Sequence, residues 1–203
     1  QYRGASPIQW AVINGDEKTG ITVQQMNEGI DTGDILYQRE ILIDKKETGE
    51  SLFDKLSVLG AESIVEALPL LEAGKLVAVP QKKEDATHTG RLKKSMGKID
   101  WTKSAAEIER LIRGLNSWPS AYTFFEGKQL KIWEADTDES LGSIQDNNKK
   151  PSPGTVIMLE KNRFAIACGT GILWITSLQL EGKKRMCTHD FLLGNKVTAG
   201  MMF

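Results

Sequence analysis

The densest run of groups able to do chemistry is Glu28-Gly29-Ile30-Asp31-Thr32-Gly33-Asp34, with three carboxylates, one hydroxyl and two glycines in seven residues. Two readings fit it. It is a turn, because Asp bonds its own backbone and Gly accepts a positive φ. Or it holds a carboxylate at a strand end, where α/β proteins place their ligand sites and where such a group can move a proton. A second run, Glu181-Gly182-Lys183-Lys184-Arg185-Met186, is either a solvated hairpin or a set of phosphate contacts. The histidines, His88 and His189, belong to no cluster with metal-ligand spacing, so no metal is expected. Cys168 and Cys187 are not in C-x-x-C and read as buried, inert thiols. The sequence holds no G-x-S-x-G, no P-loop and no G-x-G-x-x-G.

Elements must position these groups. Pro7–Asn14 followed by Gly15 predicts a short helix, with proline in its first turn and glycine at its end. Gly20–Met26 and Ile35–Ile43 alternate and predict two strands with the acidic run between them. A long helix is expected from Ser51, capped by Ser51 and Asp54, kinked or restarted at Pro69 and stopped near Gly74. Residues 77–92 hold Pro80, several charges and no sustained period, and read as a surface linker. Ser104-x-x-Glu107 is a capping box for a helix carrying Ile108, Leu111, Ile112 and Leu115 at helical spacing, ended by Trp118-Pro119. Five short alternating runs follow, Ala121–Phe125, Gln129–Ala135, Gly154–Leu159, Arg163–Cys168 and Gly171–Leu178, and predict a small β-barrel. A polar loop is expected over 146–154 and a last short helix from Thr188. Tyr122, Phe124, Trp133 and Trp174 lie on strands, where aromatics are either core or a stacking surface.

Composition bounds the class. The 203 residues are 40% hydrophobic and 26% charged, which excludes a disordered or fibrous chain. No apolar run approaches the ~18–20 residues that span a bilayer, so no membrane association is expected. Q-Y-R-G-A-S-P lacks the basic start and apolar stretch of a secretory signal. Two cysteines cannot staple a domain of this size, and a cytoplasmic setting is expected. The net charge of −1 conceals an asymmetry: residues 1–90 carry nine Lys/Arg against fifteen Asp/Glu, and residues 91–203 carry seventeen against twelve. This is either a basic second body that meets a polyanion or a chance scatter of surface charge.

Six blocks taken together carry a resemblance: Y-R-G-A-S-P-I-Q-W-A (2–11), G-I-T-V-Q-Q-M (20–26), G-I-D-T-G-D-I-L (29–36), K-I-D-W (98–101), I-R-G-L-N-S-W-P (112–119) and E-G-K-K-R-M (181–186). In order and over nearly the whole chain, they resemble the methionyl-tRNA formyltransferase family. The resemblance implies an α/β architecture: residues 1–76 as the second part of a Rossmann-like formyltransferase domain, 77–92 as a linker, and 93–203 as a tRNA-binding, OB-like β-barrel. It implies formyl transfer from 10-formyltetrahydrofolate to the α-amine of methionine on initiator tRNA, without metal, by a cytoplasmic monomer.

By the same resemblance the family's catalytic Asp falls on Asp31, and Glu28, Gly29, Ile30 and Thr32 would contact the pterin of the folate, the glycines letting backbone approach the flat ring. Lys183, Lys184 and Arg185 would contact tRNA phosphates. The family's catalytic Asn and His stand in an N-x-H segment followed by S-L-L-P that precedes Y-R-G, so these 203 residues alone are expected to be inactive. Two other readings stay open: a formyltransferase acting on an aminosugar or in a folate dehydrogenase, and a non-catalytic RNA-binding module. The basic E-G-K-K-R-M block weighs against the sugar reading, because a sugar-nucleotide acceptor has little need of it.

Overall fold

The computed structural model describes residues 1–138 and 151–203; the polar loop read at 146–154 lies in part outside them. The described residues form a mixed α/β chain in two compact units, Gln1–Leu92 and Lys93–Phe203. Among the described residues no helix is long and apolar enough to cross a membrane.

In the first unit a two-residue strand β1 (Arg3–Gly4) leads into helix α1 (Pro7–Asn14). Pro7 opens the helix and Gly15 closes it in the left-handed region at φ 78°, which glycine adopts without a Cβ clash. Strands β2 (Lys18–Gln25) and β3 (Asp34–Leu42) form an antiparallel hairpin, each starting a residue or two before the alternation predicts. Its register slips where Val23 faces Tyr37 and Gln24 faces Ile35, leaving Leu36 as an extra residue. Helix α2 (Gly49–Glu72) lies against the hairpin and buries Leu52, Leu56 and Leu59 with Val12 of α1.

α2 departs from the sequence reading at both ends. Its N-cap is Thr48, not Ser51: Thr48 Oγ1 accepts from the Ser51 amide at 3.1 Å, and Ser51 Oγ accepts from the Thr48 amide at 3.0 Å. Buried Glu47 accepts from Ser51 Oγ and Lys55 Nζ and anchors this cap. Pro69 does not restart the helix, which runs through it to Glu72. The carbonyl that loses its donor belongs to Val65, whose side chain is 70% exposed, so water can replace the missing N–H. The opposite flank of α2 leaves Phe53, Val58 and Leu68 exposed.

Residues 77–92 are not a free surface linker. Val79 and Ile35 exchange both backbone hydrogen bonds, at 2.8 and 2.9 Å. Strand β4 (His88–Thr89) pairs with β1 in parallel, Arg3 beside His88 and Gly4 beside Thr89. A stretch without hydrophobic period is thus fixed by backbone pairing, which leaves no mark on side-chain pattern.

In the second unit a 3-10 turn (Lys94–Gly97) precedes helix α3 (Ala105–Gly114), capped reciprocally by Ser104 and Glu107 as its sequence predicts. Strands β5 (Ala121–Phe125), β6 (Lys128–Asp138), β7 (Val156–Leu159), β8 (Phe164–Ala167), β9 (Ile172–Leu180) and β10 (Met186–Cys187) make one antiparallel sheet. The order is β5-β6-β9-β8-β7, with β10 on β9. Among the described residues the sheet is not closed, so the barrel expectation reduces to this open path. α3 and α4 (Thr188–Gly194) pack on its inner face, where Ile108, Ile112, Leu130, Ile132, Phe164, Ile166, Leu173 and Phe191 are buried. β8 is buried on both faces. On its other side Ala165, Ile172 and Trp174 cluster, and the Arg163 guanidinium lies 4.1 Å from the Trp174 ring centroid.

The two thiols separate. Cys168 is 1% exposed, and burial pushes its thiol up to about 12; Cys187 is exposed, against the sequence expectation. A thiol raised in the folded state contributes stability below its unfolded pKa and loses it as pH rises through the folded value. At pH 8 a disulfide exchange reagent is therefore expected to titrate one thiol per native chain, and the second only in denaturant. Prompt reaction of both thiols in the native chain would contradict this packing.

Candidate active site around Asp31

The loop between β2 and β3 is built by two amide side chains. Asn27 Oδ1 accepts from Thr32 Oγ1 at 2.6 Å and from the Gly29 amide at 3.1 Å, and Asn27 Nδ2 donates to the Thr32 carbonyl at 3.2 Å. From outside the loop, Gln81 Nε2 donates to the carbonyls of Gly33 at 2.6 Å and Asp31 at 3.0 Å. Its Oε1 accepts from Arg3 Nη2 at 2.7 Å and Nε at 3.3 Å. Gln81 therefore ties the end of β2–β3 to β1.

Asp31 sits at the tip of this arrangement. Its backbone is left-handed, φ 54°, a conformation that Asp tolerates better than most residues but that still costs about 1 kcal/mol or more. Its Oδ2 accepts from the Gly4 amide at 2.7 Å. That amide is available because β1 is a strand: Arg3 and Ala5 donate to Thr87 and Thr89 on the β4 side, at 2.8 and 3.1 Å, so the intervening Gly4 N–H points the other way. The segment that delivers it is unusually bent, with Tyr2 at φ 57°, Gly4 at 102° and Ser6 at 60°. It is pinned by the Tyr2 amide on Thr87 Oγ1 at 2.8 Å and by the Tyr2 hydroxyl donating to Asp16 Oδ2 at 2.6 Å. Burial first, then that bond to Asp16, hold the Tyr2 phenol above its ordinary value, so it stays a donor.

The sequence-predicted residues divide. Glu28, Gly29 and Ile30 are exposed, Ile30 by 76%, and Thr32 is half-buried. Asp31 is exposed and lines neither of two grooves in this unit. One, of about 770 Å³, runs between α1 and the hairpin past Tyr2, Asp16, Lys18 and Arg39. The other, of about 350 Å³, lies by Trp10, Asn14 and residues 87–90. The arrangement around Asp31 can present a fixed carboxylate to an incoming group and, through its anchor on Gly4, keep one oxygen aimed while the other stays available.

The glycines serve the loop itself. A Cβ on Gly33 would overlap the Gln25 carbonyl oxygen, and one on Gly29 would overlap Thr32 Oγ1. Sequence reasoning missed Gln81, Asn27 and Gly4. The available signal was Gly4 itself, which stands inside the Y-R-G block.

The basic run forms the turn between β9 and β10. Lys183 and Lys184 are exposed, and neither side chain has a partner among the described residues. Arg185 is engaged: Nε donates to Ser177 Oγ at 3.0 Å and Nη2 to Glu134. Among the described residues the metal-ligating types converge only at the start of α4, where ligand atoms of Cys187, His189 and Asp190 lie within 4.8 Å of one another. These are near neighbours in sequence, and Cys187 and Asp190 are exposed.

Comparison with known proteins follows this division into units. The family model described as formyl transferase matches residues 1–68, and that described as formyl transferase, C-terminal domain, matches 91–196. A methionyl-tRNA formyltransferase of Lachnospira eligens is 54% identical over 202 residues, covering 100% of this chain and 64% of that protein. The chain thus spans less than two thirds of the length of such relatives, 64% and 63% for two of them. A solved methionyl-tRNA formyltransferase from Clostridium thermocellum superposes with a TM-score of 0.50 at 28% identity, over 72% of this chain and 60% of that one. HypX from Aquifex aeolicus in complex with tetrahydrofolic acid shares the fold, with a TM-score of 0.64 at 21% identity over 99% of this chain and 37% of that one.

Gly33→Ala is expected to lower stability by about 1–3 kcal/mol, because the added methyl must displace the β2 backbone. Denaturant unfolding of the first unit's signal checks it; an unchanged midpoint would mean that the loop is not closed as described.

Proposed function

Since this chain belongs to the formyl transferase family, we propose that it carries part of a methionyl-tRNA formyltransferase, with Asp31 as a catalytic carboxylate. The reading is supported most by one observation. The D-T-G loop that the family resemblance singles out is held open at Asp31 by Gly4 and Gln81, the first of them inside the Y-R-G block of the same resemblance.

The chemistry asked of Asp31 is modest. The α-amine of methionine attacks the formyl carbon of 10-formyltetrahydrofolate, a C–N bond to the methionine forms, and the C–N bond to the folate breaks. The amine must lose a proton as it becomes an amide, and the departing folate nitrogen must gain one to leave as a neutral amine. A carboxylate beside an imidazole favours its protonated form and helps carry that proton away. The imidazole and amide partners that the family resemblance implies would meet Asp31 from its exposed side. Glu28, Gly29, Ile30 and Thr32 remain the proposed pterin contacts, with the exposed Ile30 supplying apolar surface for a flat ring.

Lys183 and Lys184 are the proposed phosphate contacts, being exposed and unpaired; Arg185 holds the turn to the sheet and contributes through its charge. The reading further takes residues 1–76 as part of a Rossmann-like domain, 77–92 as its connection, and 93–203 as an OB-like barrel that binds tRNA. It places the protein in the cytoplasm as a monomer.

In a chain extended upstream to the length of its relatives, Asp31→Asn is expected to lower kcat about 10²–10³-fold with KM for the tRNA little changed. The asparagine oxygen can still accept from Gly4, so the loop persists and the loss reports the carboxylate. A variant turning over at the wild-type rate would remove Asp31 from the mechanism.

A further inference from the structure

The outer face of the second unit's sheet carries an arrangement that burial does not explain. On β5, Phe124 is 46% exposed and meets Tyr122 edge to face, centroids 5.9 Å apart. Across the ladder Tyr122 pairs with Lys131, which in turn pairs with Gln179 of β9. The next residue outward on β6 is Trp133, and the register slips there: Ile132 faces Leu178 and Glu134 faces Ser177, so Trp133 has no opposite number. A bulge of this kind re-aims a side chain. The Trp133 indole is held by Nε1 donating to Gln179 Oε1 at 3.1 Å. It is flanked by two cations, Lys131 Nζ at 5.6 Å and the Arg185 guanidinium at 5.3 Å from its centroid. Lys183 and Lys184 follow in the adjoining turn.

We infer that this face is a stacking surface for an unpaired RNA nucleotide, the base lying on Phe124 and the adjacent phosphates meeting Lys131, Lys183 and Lys184. The inference rests on the reading of this unit as RNA-binding and adds which nucleotides it takes. Trp133 acts as the anchor that fixes Lys131 and Arg185 in place, since both its cation contacts are made within the protein. Among the described residues no cation lies over Phe124, whose ring is left exposed. An exposed aromatic on the ladder that carries Lys131, with two further lysines in the turn after β9, suits a base and its phosphates together, because stacking needs a π face and the charge needs a polyanion. A duplex hides its base faces and has use only for the lysines.

The test uses the full chain and fluorescence anisotropy, with an unstructured RNA of about eight nucleotides and a duplex of the same length. Phe124→Ala is expected to weaken single-strand binding about tenfold and duplex binding less than about twofold. Phe124→Leu restores apolar bulk without a π face and is expected to bind as weakly as the alanine variant, while Phe124→Trp recovers the affinity. Single-strand affinity unchanged in the alanine and leucine variants, equal loss on both RNAs, or a wild-type chain that ignores the single strand would each overturn the inference. A Lys183→Ala, Lys184→Ala double variant separates the two readings: it should weaken both RNAs and flatten the salt dependence by about 1–2 in log–log slope. If it does while Phe124→Ala does not, stacking fails and the RNA reading stands; if it changes neither, the RNA reading itself fails.

Discussion

The hydrogen bond from the Gly4 amide to the Asp31 carboxylate is the interaction on which the first unit's organisation turns. It joins residues far apart in sequence, and it exists only because β1 offers one edge to β4 and the other to the hairpin loop. Both partners reach it through left-handed backbone, at Tyr2, Gly4 and Ser6 on one side and Asp31 on the other. Such conformations persist where surrounding bonds over-determine them. Here the over-determination is supplied by Gln81, whose one amide group serves Arg3, Asp31 and Gly33 together, and by Asn27 within the loop. A neutral glutamine with all its hydrogen-bonding capacity used is a rigid clamp that adds no competing charge beside the carboxylate.

The second unit solves a different problem. Its sheet is packed by helices on one face and by the small Trp174 cluster on part of the other, leaving the β5–β6–β9 region of that outer face to interact with something else. Arg185 is fixed there by Ser177, Glu134 and Trp133, whereas the exposed Lys183 and Lys184 have no side-chain partner among the described residues.

Much of this was legible from residue order. α1 and α3 announce themselves through Pro7, Gly15 and the Ser104–Glu107 box, and five of the second unit's six strands through alternation and glycine breaks, the two-residue β10 being too short to show either. The α2 cap was misplaced by three residues because Thr48 and Ser51 are both competent caps, and only the buried Glu47 beside them decides between the two. Gln81 was invisible for a stronger reason. It lies in a charged, aperiodic stretch, and its importance comes from backbone carbonyls brought to it by long-range pairing of Val79 with Ile35. The glycines of the D-T-G loop stand out in the sequence as turn formers or as openings for a ligand, while the backbone of Gln25 and the Thr32 side chain already require them.

Amide hydrogen exchange at Gly4 tests this account most directly, because that N–H has no β4 partner and depends on Asp31 for its protection. The account predicts exchange at least about tenfold slower than in an unstructured peptide, with protection lost selectively at Gly4 in Asp31→Ala while Arg3 and Ala5 keep theirs. A Gly4 amide that exchanges freely in the wild-type chain, or that is equally protected without the carboxylate, would contradict it.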